Sequence, residues 1–291
     1  MGKIYIGTSG WSYPTGEGTW KGNFYPPVTK YELEYYSRFF KTVEVNSSFY
    51  RPPNPGYVAN WVKLTPPDFL FTVKLWQKFT HPNMYQKATG EEAVISGDDI
   101  DTFQHSIEPL ARAGKLGALL AQFPPSFKND GFGQQILEAI TRHFGEYRLA
   151  VELRHKSWSD DPATEFFLKE NHIAWVKIDE PKFQSSIACD TPHTCDIAYF
   201  RFHGRNAEMW WKGDVETRYQ YLYSPEEINE LAGKVKIASE NAATTFAFFN
   251  NHWKAFAPRN AGDLMRALQL PFNDFQAPRL PEDYTPNPNP N

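Results

Sequence analysis

Cysteine is scarce here: Cys189 and Cys195 are the only two in 291 residues, too few for a disulfide framework. His193 lies between them, yet four ligands at a familiar spacing are lacking. Two reduced thiols in a loop are expected rather than a zinc site. No apolar run approaches the ~18 residues of a membrane span, which excludes a spanning helix. Basic excess is missing too, since the net charge is −4, and a non-specific nucleic-acid binder is normally basic. There is no nucleophile elbow, no cysteine beside a base, and no internal repeat at a period of about 20–50 residues. Gly7-Thr8-Ser9-Gly10-Trp11 follows a strand, but it lacks the third glycine of a dinucleotide fingerprint and the Gly-Lys-Ser/Thr of a P-loop. A tight turn presenting Trp11 is the better reading. Met1-Gly2-Lys3-Ile4 runs straight into a strand and leaves no room for a signal peptide, so a cytoplasmic protein is expected.

Aromatics are plentiful, at 16% with nine Trp and 23 Phe. Most should fill a core, with Trp11, Trp20 and Trp76 placed to line a pocket. Eight short apolar runs recur, at residues 3–7, 42–45, 69–73, 116–121, 149–153, 173–178, 197–202 and 244–249. Between most of them lie segments of helical period, at 31–40, 55–63, 101–113, 134–144, 161–168, 224–238 and 261–270. The clearest start signals are Asp161-Pro162 and Ser224-Pro225-Glu226-Glu227. Eight alternations predict an α/β chain forming a single (β/α)₈ TIM-like barrel over residues 1–275. The crossover between strands six and seven, at 181–196, has two prolines and no helical period, so it should be irregular. Loops at 77–100 and 206–223 are candidates to cap the mouth. Residues 276–291 read as a Pro/Asn-rich tail.

Nearly every strand ends in polar or aromatic residues, and in parallel α/β folds ligands bind at that C-terminal edge. Side chains alternate along a strand, so Glu152 shares a face with Arg154, as Arg201 does with His203. Charges on an inward face are tolerable only near the mouth. The same rim receives Trp11, Glu44, Asn46, Tyr50, Arg51, Lys74, Gln122, His155, Asp179 and Asn250. Its fixed cations Arg51, Lys74, Arg154 and Arg201 face the carboxylates Glu44, Glu152 and Asp179. That balance favours an anionic, phosphate-bearing ligand. A tightly bound metal is not expected: no HxxxH spacing occurs, and Lys74 with two arginines would repel a cation. Any cofactor stays open.

Several segments together resemble the YecE-like family of domains of unknown function, family seventy-two. They are Gly7–Trp11, Phe24-Tyr25-Pro26, Thr42-Val43-Glu44-Val45-Asn46, Phe49-Tyr50-Arg51, Lys74, Thr80-His81 and Gln122-Phe123-Pro124-Pro125. Others are Val151-Glu152-Leu153-Arg154-His155-Lys156-Ser157-Trp158, Arg201-Phe202-His203-Gly204, Phe249-Asn250-Asn251 and Asn260-Ala261. The resemblance spans about residues 3–270 and implies a TIM-like barrel, without an activity. From the residues themselves, hydrolysis or phosphoryl transfer on a phosphate-bearing substrate leads. In that reading Arg154, Arg201 and Lys74 hold the anion, and Glu152 and His203 act as general base and acid. Alternatives are single-stranded nucleic-acid binding, with Trp11, Trp20, Trp76, Trp158 and Tyr50 as stacking platforms, glycosidase chemistry at Glu44 and Glu152, and a barrel without catalysis. The expected partner is an anionic small molecule or nucleic acid, with no membrane; the oligomeric state stays open.

Overall fold

A computed structural model describes residues 1–188, 190–208, 210, 219–273 and 275. The proposed tail at 276–291, Cys189 and the centre of the 206–223 loop lie outside the described residues. The strands are β1 (Lys3–Thr8), β2 (Thr42–Val45), β3 (Leu70–Lys74), β4 (Leu116–Gln122), β5 (Leu149–Glu152), β6 (Ala174–Trp175), β7 (Lys177–Asp179), β8 (Ile197–Phe202) and β9 (Thr244–Phe249). They form two parallel sheets, ordered β1-β9-β8-β7 and β2-β3-β4-β5-β6. This is the expected TIM-like (β/α)₈ order, with the sixth strand divided at Val176 into β6 and β7. The crossover that follows carries neither helix nor strand among the described residues, as its prolines predict.

Two compact units can be distinguished. Among the described residues, one contains those within 1–43, 178–182 and 200–275; the other contains those within 44–177 and 183–199. In the first, β1 and β9 pair in parallel from Lys3↔Thr244 to Thr8↔Phe249. The Tyr36 hydroxyl accepts from the Thr8 amide and donates to the Thr42 carbonyl, each at 3.0 Å. Gly7 sits where a Cβ would come within 2.3 Å of that same carbonyl oxygen. The glycine is therefore a packing requirement, set by the close approach of residue 42 to β1.

In the second unit, β4 pairs with β3 on one side and β5 on the other, bringing Lys74 opposite Leu120 and Gln122 opposite Glu152. Helices begin where side chains can cap them. Asp130 starts Gly131–Phe144 by accepting from the Gly133 amide. Ser96 and Asp99 form a reciprocal capping box at the head of Gly97–Arg112. That box begins the helix four residues before the apolar period predicts, and Pro109 is accommodated within it. The 77–100 segment, expected as a loop, contains helices Gln77–Thr80 and Pro82–Thr89, the second closed by Gly90 in the left-handed conformation. Short helices bury too few side chains to show a period, which hides them in the sequence. Phe79, Phe103 and Phe144 pack together, with ring centroids 5.5–5.9 Å apart. They fix the first of these helices to the two longer ones.

Replacing Gly7 with Ala should destabilise the protein by about 2 kcal/mol, the range for forced overpacking. Urea unfolding would measure it, and a change below about 0.5 kcal/mol would refute the close-approach argument.

Candidate functional site

Each unit gathers part of the predicted rim. In the second, the anchor is β5. Glu152 is inaccessible to solvent, and its Oε1 accepts from Arg154 Nε at 2.7 Å and from a terminal guanidinium nitrogen at 2.6 Å. The alternation predicted from sequence holds, since both side chains lie on one face. On the neighbouring strand ends, Lys74 Nζ stands 4.0 Å from the centroid of the Phe49 ring. Ser48, in the turn after β2, reaches the carbonyls of both Val45 and Lys74 and ties β2 to β3.

Gln122 closes β4, and its amide orientation follows from its partners. The Nε2 atom donates to the Phe123 carbonyl at 2.7 Å and lies 3.4 Å from His81 Nε2. An amide nitrogen only donates, so His81 Nε2 is the acceptor. The imidazole proton therefore resides on Nδ1, 2.9 Å from the Thr80 hydroxyl. Burial, together with Lys74 and Arg154, pushes the His81 pKa down to about 3, against a smaller upward pull from Glu152. Five groups from three strand ends and one helix terminus thus share one electrostatic neighbourhood: Lys74, His81, Gln122, Glu152 and Arg154. His81 was not a predicted site residue, because it lies seven positions beyond the end of β3 in what reads as a loop. The available signal was the Thr80-His81 pair within the family-like motifs.

Deeper in the second unit, Thr72, Tyr199 and Glu44 form a buried chain. Tyr199 donates to Glu44 Oε2 at 2.7 Å and stands 2.9 Å from the Thr72 hydroxyl. Glu44 is wholly buried and its Oε2 is taken by the Tyr199 hydroxyl. At the end of β2, Asn46 Oδ1 is buried with no hydrogen-bond partner among the described residues, and Trp76 Nε1 after β3 is the same. Tyr50 and Arg51 are exposed beyond the turn. His155 accepts the Ser157 amide on Nδ1 and so caps the short helix Lys156–Ser159. Burial, Lys128 and Lys156 lower its proton affinity.

The first unit holds Trp11, Asp179, Arg201, His203 and Asn250. Asp179 is clasped by Arg205 at 2.7 and 3.0 Å, and its Oδ1 accepts from the Tyr223 hydroxyl at 2.8 Å. Burial works against the Arg205 charge, but Asp179 outweighs it and raises the pKa. Glu227 and Glu230 complete the ring of carboxylates. Asp179 is accordingly a scaffold residue, and Arg205 and Tyr223 are partners the sequence reading missed. His203 is fully buried, with Nδ1 3.0 Å from the Asn250 amide nitrogen, which places its proton on Nε2. Arg201 is 2% exposed. Trp11 is half-buried, and its carbonyl accepts from Tyr25. Asn260 receives both the Tyr223 and Asn251 N–H groups and returns its own to the Tyr223 carbonyl. The Asn251 and Asn260 motifs therefore hold backbone. Glu152 and His203, paired as base and acid by sequence, belong to different units.

Two predicted stacking platforms are core residues instead. Trp20 is 0% exposed and donates to the His252 carbonyl, while Trp158 is 2% exposed and donates to the Phe127 carbonyl. Neither can stack a base.

Parallel sheets in TIM-like order, with charged groups gathered at strand ends, define the class as a TIM-like α/β protein. Residues 5–285 match the family described as "Protein of unknown function DUF72", and the chain belongs to that family. It is 30% identical to the UPF0759 protein YunF of Bacillus subtilis over 289 residues, covering 95% of this chain and 98% of that protein. The UPF0759 protein YecE of Escherichia coli K12 is 31% identical over 158 residues, 52% of this chain and 48% of that one. Among solved structures, a DUF72 family protein from Thermotoga maritima superposes with a TM-score of 0.79 at 38% identity, covering 91% of this chain and 99% of that one. One from Enterococcus faecalis gives 0.80 at 28% identity, covering 96% and 100%.

Arg154→Leu removes the guanidinium from which Glu152 Oε1 accepts two hydrogen bonds and should cost about 3–5 kcal/mol. The double variant with Glu152→Leu should recover most of that, because no buried charge is left unpaired. Denaturant unfolding of the parent, both single variants and the double variant decides it; additive losses would contradict a coupled pair. A second expectation concerns acid. Unfolded His81 takes a proton near pH 6.5 and the folded residue only near 3. Its contribution to stability is therefore full above pH 6.5 and is lost as the pH falls toward 3. His81→Gln should retain more of its neutral-pH stability at pH 4.5 than the parent does. Parallel pH curves would count against a buried neutral imidazole.

Proposed function

We propose that this protein is an enzyme that binds a phosphate-bearing anion at the ends of β3, β4 and β5 and turns it over by hydrolysis or phosphoryl transfer. The observation that carries the reading is the clustering at adjacent strand ends: Gln122 lies 3.4 Å from His81 and opposite Glu152, Glu152 holds Arg154, and Lys74 ends the neighbouring strand. Two fixed cations supply attraction for an anion. Glu152 holds the Arg154 guanidinium in one plane, so that the fork is preorganised before a ligand arrives.

His81 gives this arrangement its chemistry. Among the described residues, its Nε2 lone pair meets the Gln122 amide at 3.4 Å, at the weak end of hydrogen bonding. A water at that position would be oriented by the imidazole and by the Gln122 amide. The depressed pKa makes His81 a poor base in the free protein. A bound phosphate would offset the charges of Lys74 and Arg154 and raise it toward neutrality, where a general base is effective. Binding and activation are then one event. The base role moves from the Glu152 of the sequence reading to His81, because Glu152 is already committed to Arg154.

Inorganic phosphate titrated calorimetrically should bind, and Lys74→Met should weaken it by about tenfold, equivalent to ~1.4 kcal/mol. The His81 ring protons, followed by NMR against pH, should titrate at a higher pH in the presence of phosphate. His81→Gln should keep phosphate binding while abolishing turnover of a phosphate monoester. Absence of phosphate binding, or a His81 titration indifferent to it, would sink the reading.

A further inference from the structure

A cavity of about 930 Å³ opens in the second unit between helix Pro82–Thr89, the segment around Ile95 and the start of helix Gly131–Phe144. That is within the size range of small-molecule sites. Its walls lie wholly in this unit, and His81 is one of its lining residues. The imidazole that senses Lys74 and Arg154 on the strand ends therefore also lies on the cavity wall.

The lining is apolar where a ligand body would rest. Met84, Phe132, Ile95 and Ile136 contribute to it. Two of these are among the most exposed large apolar side chains of the protein, Phe132 at 64% and Met84 at 48%. Exposed apolar side chains gathered on a concave wall, rather than scattered over the surface, mark a ligand groove. A methionine sulfur and a phenylalanine ring on the cavity wall each suit an aromatic guest. The charges follow the same division. Lys78 is held by Asp99 at 2.8 Å, and Asp130 accepts the Gly133 amide. Lys87 and Lys128 line the cavity together with the carboxylates Glu92 and Asp130, so the fixed cations for a phosphate are those of the strand ends beyond His81.

We propose that the ligand is a phosphate monoester of an aromatic group, its ring in this cavity against Phe132 and Met84 and its phosphate passing His81 toward Lys74 and Arg154. The inference rests on the phosphate reading and adds the chemical class of the substrate's body.

The test compares 1-naphthyl phosphate with inorganic phosphate by calorimetry on the full chain. The aromatic ester should bind at least about tenfold more tightly, the gain expected from burying a ring. Phe132→Ser combined with Met84→Ser should erase that preference, with inorganic phosphate, which does not reach these side chains, as the internal reference. Thermal melting of the double variant checks folding, which two exposed positions should not disturb. Equal affinity for the two probes, or a preference that survives the double substitution, overturns the inference and leaves the phosphate reading standing. Failure of both probes to bind overturns both.

Discussion

A carboxylate without access to water constrains everything around it. Glu152 ends β5 at 0% exposure, and an ionised group in that position is tolerable only with a cation held against it. Arg154 is that cation, two residues on and on the same face. Once the pair is fixed, the neighbouring strand ends inherit its field. Lys74 adds positive charge, and an imidazole nearby cannot easily acquire its own. Burial first, and then the charges of Lys74 and Arg154, keep His81 neutral, with its tautomer set by Gln122.

The polar strand ends of the two units keep different company. In the first unit, Asp179, Arg205 and Tyr223 satisfy one another, and the Asn251 and Asn260 amides reach backbone carbonyls. In the second, Gln122 approaches His81 at 3.4 Å beside the Glu152–Arg154 pair. Buried polar groups are normally satisfied, yet atoms without a hydrogen-bond partner among the described residues occur in both units, Asn46 Oδ1 and Trp76 Nε1 in the second and Thr245 Oγ1 and Asn251 Oδ1 in the first.

Sequence patterning went far for the strands, because each is a short apolar run closed by polar residues. It found the shared face of Glu152 and Arg154 through simple alternation. It did less well wherever a partner decides the outcome. Asp179 reads as a rim carboxylate until Arg205, 26 residues on, takes it. Trp20 and Trp158 read as platforms, but their indole N–H groups reach carbonyls at His252 and Phe127 and draw the rings into the core. His81 was passed over because helix Gln77–Thr80 has only four residues, too few for a periodic signal. What sequence could not supply was the pairing of residues distant along the chain.

The helix Pro82–Thr89 buries one residue, Tyr85, while its other side chains face outward or onto the cavity. A wall attached so lightly can be rewritten by mutation without refolding what lies beneath it. Descendants of one ancestral chain could therefore keep the strand-end charges unchanged while diverging in the molecules they accept. Heritable change in selectivity would accumulate on this helix first.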